Sequence, residues 1–271
     1  ARRLTPFDLT RPLAGIGHFP RFAGEALCLP LAPGARIPLS RETQTIPEPL
    51  MSRPIDGPRL APRDGQAPKK LVIFLHGYGS NGQDLIGLGQ HWAKDLPHVQ
   101  WVSPNAPDPV PGAPDGYQWF PISNLDPQRI ETGASAAWPI VDAFIDQELH
   151  RYRLSEQDLV LCGFSQGTML SLHAGLRRKR PLAGILGFSG ALPGGARLKE
   201  EMASKPPLML IHGDQDQVLP LGFMFDALEH IAAAGHGAQW HISQGIPHSI
   251  GQDGLELGAH FLGRALSGRY L

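Results

Sequence analysis

Short, uninterrupted apolar runs alternate with stretches of helical periodicity, and this pattern constrains the fold of the 271-residue chain more than any other feature. A strand that is apolar at every position is buried on both faces, as in a parallel sheet covered by helices on both sides. The predicted strands are residues 71–75, 99–102, 158–164, 182–189, 207–213 and 239–243. The predicted helices are residues 84–96, 140–152, 165–178, 221–234 and 255–266. The pattern predicts an α/β fold with a mostly parallel sheet, whose ligands bind at the carboxyl ends of the strands.

Proline is concentrated in two segments. Residues 1–68 hold 12 of the 27 prolines and show no sustained period of 2 or 3.6, which predicts an irregular N-terminal extension. Met51 opens a polar lead into the first strand, so a native start at Met51 is one hypothesis. Residues 69–271 are the predicted α/β domain. The second proline-rich segment, residues 104–121, is expected to form a long loop. Pro139 is expected in the first turn of the helix that follows.

Composition excludes several classes of partner. A formal net charge of -1 gives no broad basic field, so we expect no nucleic-acid partner. No apolar run approaches the ~20 residues of a spanning helix, so we expect no integral membrane segment. Only Cys28 and Cys162 are present, which predicts no disulfide framework and a cytoplasmic location. None of the 12 histidines has zinc-site spacing, and we expect no metal and no cofactor.

The stretch "GFSQG" places Ser165 between two glycines, after a predicted strand and before a predicted helix. This context is typical of a nucleophile elbow, a sharp turn that exposes the serine hydroxyl above the sheet. On such a turn the next backbone N–H, that of Gln166, faces the reacting carbonyl. The alternative is a turn serine that happens to be flanked by glycines.

Possible partners for Ser165 follow in the chain order that elbow hydrolases use, first an acid and then a histidine. "HGDQDQVLP" puts Asp214 and Asp216 just past the end of a predicted strand, and only one of the two is expected to face the site. "GIPHSI" puts His248 in a loop between the last strand and the last helix. We interpret His76, His173 and His212 as structural.

The stretch "HGYGSNG" supports two hypotheses. Gly77, Gly79 and Gly82 form G-x-G-x-x-G after a strand, the pattern of a dinucleotide phosphate loop. That function also needs an acidic residue at the end of the second strand, where the sequence has "WVSPNAP". The second hypothesis is a turn that directs a backbone N–H at an oxyanion, with glycines that allow close approach.

The chain resembles the phospholipase/carboxylesterase family of α/β-hydrolases, which includes the acyl-protein thioesterases. The resemblance covers about residues 69–267. It rests on an ordered set of motifs: "FLHGYGSNGQDL", "PNAP", "GYQWF", "GFSQGTMLSL", "GFSGALP", "HGDQDQVLP" and "PHSI". The family usually has only a short lead before "FLHG", so residues 1–50 have no counterpart in it.

The resemblance implies an α/β-hydrolase fold without a large cap domain and an EC 3.1.1-type serine hydrolase that cleaves carboxylic esters or thioesters. It implies a catalytic triad of Ser165, Asp216 and His248, with Asp216 rather than Asp214 as the acid. The implied oxyanion donors are the backbone N–H groups of Tyr78 and Gln166. Expected substrates are small-molecule, lipid or acyl-protein esters, and a homodimer is left open.

Substrate contacts are the least specified part of the site. Trp119, Phe120 and Leu192 are candidate walls of an open acyl groove, with core packing as the alternative for each. A non-catalytic binding protein on the same scaffold is the rival function, since a fold does not fix an activity.

We expect a chain beginning at Met51 to fold and to hydrolyse aryl esters about as well as the full chain. Residues 1–50 are rich in Pro and Arg and lack a sustained apolar face, so they should bury little surface. Thermal melts and kinetics of both chains check this. A melting temperature lower by more than about 5 °C, which corresponds to more than ~1 kcal/mol, would contradict it.

Overall fold

The computed structural model describes residues 55–270. Nine strands occur in this range: β1 (Arg59–Leu60), β2 (Lys70–Leu75), β3 (Val99–Val102), β4 (Asp108–Val110), β5 (Ala113–Gln118), β6 (Leu159–Phe164), β7 (Gly184–Phe188), β8 (Leu208–Gly213) and β9 (Gln239–Ser243). The α-helices of this range are α1 (Gly82–Trp92), α2 (Pro127–Tyr152), α3 (Gln166–Arg177), α4 (Leu198–Glu201), α5 (Gly222–Ala233) and α6 (Gln252–Leu266). Two short 3₁₀ helices span Glu156–Asp158 and Gly195–Arg197.

Seven strands form one sheet in the order β1-β3-β2-β6-β7-β8-β9. Every pair from β3 to β9 is parallel, and β1 is antiparallel to β3. The chain runs outward from β2 to β3 and later returns to the other side of β2 with β6. The strand order therefore reverses between β2 and β6, and the crevice at such a point is where open α/β sheets bind ligands.

Two apolar clusters lie on the two faces of the sheet. Leu71, Ile73 and Leu75 of β2 join the cluster that includes residues of α2, α3 and α5. Val72 and Phe74, which point to the opposite face, join the cluster that includes residues of α1 and α6. The predicted mostly parallel sheet with helices on both faces is confirmed. Within residues 55–270 no helical cap domain interrupts it.

The segment between β3 and α3 differs from the prediction. Residues 104–121 are not one loop, because β4 and β5 pair as a hairpin there. Helix α2 begins at Pro127 rather than near residue 140, with the Asp126 side chain accepting a hydrogen bond from the Arg129 N–H at 2.9 Å. Pro139 therefore lies inside α2 and not in its first turn. The sequence interpretation missed the Asp-Pro start signal because it stands in a proline-rich stretch.

Residues 55–68 pack on the sheet, although the sequence predicted that they belong to an irregular N-terminal extension. Strand β1 pairs with β3, and Ile55 is buried in the α2 and α3 cluster. Arg59 donates two hydrogen bonds to the fully buried carboxylate of Glu148, at 2.8 and 3.2 Å. The rest of the predicted extension, residues 1–54, lies outside the described residues.

No helix within the described range is both long and apolar enough to cross a membrane. In the same range, no three His, Cys, Asp or Glu side chains are grouped so that they could hold a metal ion.

We expect Arg59→Met to lower the free energy of unfolding by about 2 kcal/mol, because the buried Glu148 carboxylate loses two hydrogen bonds and keeps its bond from Arg151 at 3.0 Å. Urea unfolding measures the loss. The double variant R59M/E148M should recover most of it, since the buried carboxylate is then absent and Arg151, whose side chain is 48% exposed, remains solvated.

Lys70→Met is the matched control for Arg59→Met. Lys70 pairs with Asp158 at 2.6 Å, but both side chains are about a quarter exposed. This variant should therefore lose less than about 1 kcal/mol. A similarly small loss in Arg59→Met would show that β1 is not anchored through Glu148.

Candidate active site

Ser165 stands on a sharp turn between β6 and α3. Its backbone has φ 54° and ψ -117°, a strained conformation for a residue with a side chain, and its N–H donates to the Phe188 carbonyl at 2.9 Å. The flanking glycines are sterically required. A Cβ on Gly167 would lie 1.7 Å from the Leu75 carbonyl oxygen, and one on Gly163 would lie 2.4 Å from the Gly167 carbonyl carbon. The "GFSQG" pattern thus fits the space available at this turn.

Ser165, His248 and Asp216 form a chain of hydrogen bonds. The Ser165 Oγ lies 3.0 Å from His248 Nε2, and His248 Nδ1 lies 2.7 Å from Asp216 Oδ2. An ionised carboxylate only accepts, so Nδ1 carries the proton and Nε2 is free to accept one from the serine. The imidazole is therefore held in the tautomer that a general base needs.

Asp216 is buried and surrounded by donors. Its Oδ1 accepts from the N–H groups of Val218 and Leu219 at 3.0 and 2.8 Å. Burial alone raises the pKa of Asp216, but hydrogen bonds from His212, His248 and the Leu219 N–H lower it further than burial raises it. The resulting pKa is well below the usual range, so Asp216 stays ionised and can stabilise an imidazolium at His248.

Asp214 points elsewhere. Its Oδ1 accepts from the Gly245 N–H at 2.6 Å, and its own N–H donates to the Ser243 carbonyl. The Gln215 N–H donates to Ile246 in the same loop. Asp214 thus joins the end of β8 to the loop that carries His248, whereas Asp216 faces the His248 ring.

The loop after β2 lies against the elbow. A Cβ on Gly77 would be 3.3 Å from the Ser165 Cβ. His76 fixes this loop, since its Nε2 accepts from the Ala106 N–H at 3.0 Å and its Nδ1–H donates to the Gly77 carbonyl at 2.8 Å. Burial lowers the pKa of His76 to about 4, so the ring stays neutral and keeps this pattern at neutral pH.

The backbone N–H groups of Tyr78 and Gln166 find no acceptor within residues 55–270. The Gln166 N–H is at the first turn of α3, where helical N–H groups have no partner in the helix. Gly79, next to Tyr78, is held by its N–H bond to the Tyr117 carbonyl at 2.9 Å. Both predicted donors are therefore available to an external oxygen near Ser165.

The dinucleotide hypothesis is not supported by the start of α1. The first N–H groups of this helix already have acceptors, because Gly82 donates to Asn105 Oδ1 and Asp84 donates to Asn81 Oδ1. The Asp84 carboxylate also lies in the first turn, where it would repel a pyrophosphate.

The three candidate groove walls are all buried. Trp119 and Phe120 are each 2% exposed and Leu192 is 7% exposed, within the core cluster. The Gln166 side chain accepts from the Trp119 N–H at 2.9 Å and donates to the Phe120 carbonyl at 2.7 Å. Packing against the core is thus their observed role, and a wall role stays a prediction.

Two residues of the site have contacts that the sequence interpretation missed. His212, interpreted only as structural, lies 3.2 Å from Asp216 Oδ2, and Asp214, considered only as a rival acid, holds the Gly245 N–H. The spacing of "HGDQD" carries a signal for the first contact, because His212 stands four residues before Asp216. Nothing in the sequence indicates the second contact, which joins residues 31 positions apart.

Comparison with known proteins points to one family. A profile of the phospholipase/carboxylesterase family matches residues 62–266. Acyl-protein thioesterase 1 of Schizosaccharomyces pombe is 34% identical over 157 residues, which cover 55% of this chain and 69% of that protein. Its namesake from Saccharomyces cerevisiae is 29% identical, over 74% of this chain and 95% of that protein.

Solved structures agree with this. Esterase PE8 superposes with a TM-score of 0.75 at 44% identity, over 78% of this chain and 99% of that one. SOBER1 of Arabidopsis thaliana has a TM-score of 0.65 at 26% identity, over 73% of this chain and 99% of that one.

We expect Asp216→Asn to lower the turnover of an aryl ester by roughly 10⁴-fold, because an amide favours the wrong tautomer of His248. Asp214→Asn keeps a carbonyl oxygen for the Gly245 N–H and should stay within about tenfold of the parent chain. Steady-state kinetics of both folded variants measure the difference. Equal or reversed losses would contradict the choice of Asp216.

Proposed function

Because this chain belongs to the phospholipase/carboxylesterase family, we propose that it is a serine hydrolase that cleaves carboxylic esters or thioesters. The observation that carries the proposal is the hydrogen-bonded chain from Ser165 through His248 to Asp216. The family and its relatives support hydrolysis of an ester-type bond. The assignment of the nucleophile, base and acid is our inference from these contacts.

In the first half-reaction the Ser165 Oγ attacks the acyl carbonyl carbon while His248 Nε2 accepts the hydroxyl proton. Asp216 holds the imidazole and stabilises its positive charge. The tetrahedral intermediate collapses as the bond to the alcohol or thiol breaks, and His248 returns the proton to the leaving group. The acyl group is then bound to Ser165 as an ester.

In the second half-reaction His248 accepts a proton from water, and the hydroxide attacks the acyl-enzyme. Collapse of the second tetrahedral intermediate releases the carboxylic acid, and His248 returns the proton to the Ser165 oxygen. Both intermediates carry an oxyanion, which the N–H groups of Tyr78 and Gln166 would bind. Each donor of this type contributes roughly 10²–10³ in turnover, and the start of α3 adds favourable potential.

The substrate class is proposed more broadly than the reaction. Relatives named acyl-protein thioesterase support acylated proteins or thioesters, and those named esterase support smaller esters. Tyr78 and Val218 are exposed apolar side chains close in sequence to proposed catalytic groups, and they are candidates to contact an acyl chain. A cytoplasmic location and a homodimer stay predictions.

The rival function is a binding protein on the same scaffold. A fluorophosphonate probe separates the two functions, because it forms a covalent bond only with an activated serine. We expect labelling at Ser165 and hydrolysis of short aryl esters. An intact chain that neither labels nor turns over such esters or acyl thioesters would favour the binding protein.

We expect Ser165→Ala to abolish labelling and to lower turnover by roughly 10⁴-fold or more, since triad members act as a unit. Ser171→Ala is the matched control. Ser171 lies on α3, the helix that begins directly after Ser165, and its hydroxyl donates to the Gly167 carbonyl at 2.8 Å. The control should label normally, and turnover of Ser165→Ala within tenfold of it would remove Ser165 from the mechanism.

A further inference from the structure

A second histidine contacts the proposed catalytic carboxylate. His212 is on β8, is 1% exposed, and has its Nε2 2.7 Å from the Leu219 carbonyl oxygen and 3.2 Å from Asp216 Oδ2. Both neighbours are acceptors, so Nε2 must carry a proton. His212 therefore donates this N–H to the Leu219 carbonyl, and the same nitrogen lies 3.2 Å from the Asp216 carboxylate.

This donor completes the shell around Asp216. The N–H groups of Val218 and Leu219 hold Oδ1, while His248 Nδ1 donates to Oδ2 and His212 Nε2 lies 3.2 Å from the same oxygen. Leu219 also accepts from His212, so His212 and Asp216 both bind the backbone of Leu219 in the turn after β8. Rotation of the Asp216 carboxylate about its side-chain torsion would break bonds at both oxygens.

We propose that His212 is a positioning residue of the triad, which fixes the Asp216 carboxylate and shares Oδ2 with His248. This inference rests on the proposed function, since it assigns His212 a role in the same site. The shared oxygen matters because a second donor draws negative charge away from the bond to His248. Loss of the His212 donor would thus leave more negative charge on the oxygen that faces His248.

The rival explanation is that His212 serves only to tether the turn through the Leu219 carbonyl, which is the shorter of its two contacts. A tether would affect stability without changing how His248 titrates. The proton affinity of His248 is therefore the property that separates the two explanations.

Few other charged groups face the Asp216–His248 pair. Within the described part of the chain, Ser165 contacts His248 from the elbow, and the ring of Phe164, which is not titratable, lies 5.0 Å from that of His248. His212 contacts Asp216 from β8, and Asp214 contacts the His248 loop only at the Gly245 N–H. A change in the titration of His248 on replacing His212 can therefore be assigned to the contact at Oδ2.

The test replaces His212 by Leu, which removes the donor, and by Gln, whose amide N–H reaches a similar position. We expect His212→Leu to raise the pKa of His248 by about half a unit and to lower turnover roughly tenfold. His212→Gln should restore most of both values. His241→Gln is the control. His241 lies on the neighbouring strand β9 and pairs with Asp253 of α6 at 2.7 Å, so its replacement removes a histidine–carboxylate pair that does not involve Asp216.

NMR titration of His248 reports its pKa without relying on turnover, and kinetics are measured separately. An unchanged or lowered pKa in folded His212→Leu would overturn the inference, even if the parent chain is an active esterase. A raised pKa in a chain that neither labels nor hydrolyses esters would support the contact while overturning the proposed function.

If His212→Leu does not fold, NMR of the parent chain keeps the inference testable. We expect His212 to carry a proton on Nε2, which faces the Leu219 carbonyl and the Asp216 carboxylate. An Nδ1–H tautomer would overturn the inference, because such a ring cannot donate to Asp216.

Discussion

The close approach of helix α3 to the end of strand β2 is the constraint on which the rest of the site depends. No side chain fits at Gly167, where a Cβ would lie 1.7 Å from the Leu75 carbonyl oxygen. This contact brings the first turn of α3 beside the loop that contains Gly77 and Tyr78. The N–H groups of Gln166 and Tyr78, which find no acceptor within residues 55–270, belong to these two neighbouring segments. The strained backbone of Ser165 is tolerated because its N–H is held by the Phe188 carbonyl on the next strand.

The second half of the site is assembled by hydrogen bonds rather than by apolar packing. Asp214 and Gln215 bind the backbone of the loop that carries His248, while Asp216 binds the His248 ring itself. A buried carboxylate would be unfavourable without this shell of donors, since desolvation favours its neutral form. In the proposed mechanism the same shell would keep the charge in place while a proton moves between Ser165 and His248.

The positions of the two halves follow from topology. The loops after β2 and β6 meet because these strands are neighbours at the point where the strand order reverses. The loops after β8 and β9 meet because these strands are parallel neighbours with matched ends, His212 opposite Ile242 and Gly213 opposite Ser243. The proposed catalytic groups come from distant parts of the sequence and thus lie together at the carboxyl ends of the strands, while helices cover both faces of the sheet.

The sequence by itself determined six of the seven strands of the main sheet, the elbow and the order of the candidate groups, because apolar runs and glycine spacing are local properties. It misplaced the start of α2 and missed the β4–β5 hairpin, where proline-rich composition hid the Asp126 cap and a pairing between strands. The residues alone left both carboxylates open, and the resemblance to a family selected Asp216. Only the tertiary structure decided which carboxylate faces His248, that Trp119 and Phe120 are core residues, and that His212 contacts the triad. The first two depend on partners tens of residues away, and the third depends on how the turn after β8 brings Asp216 back towards that strand.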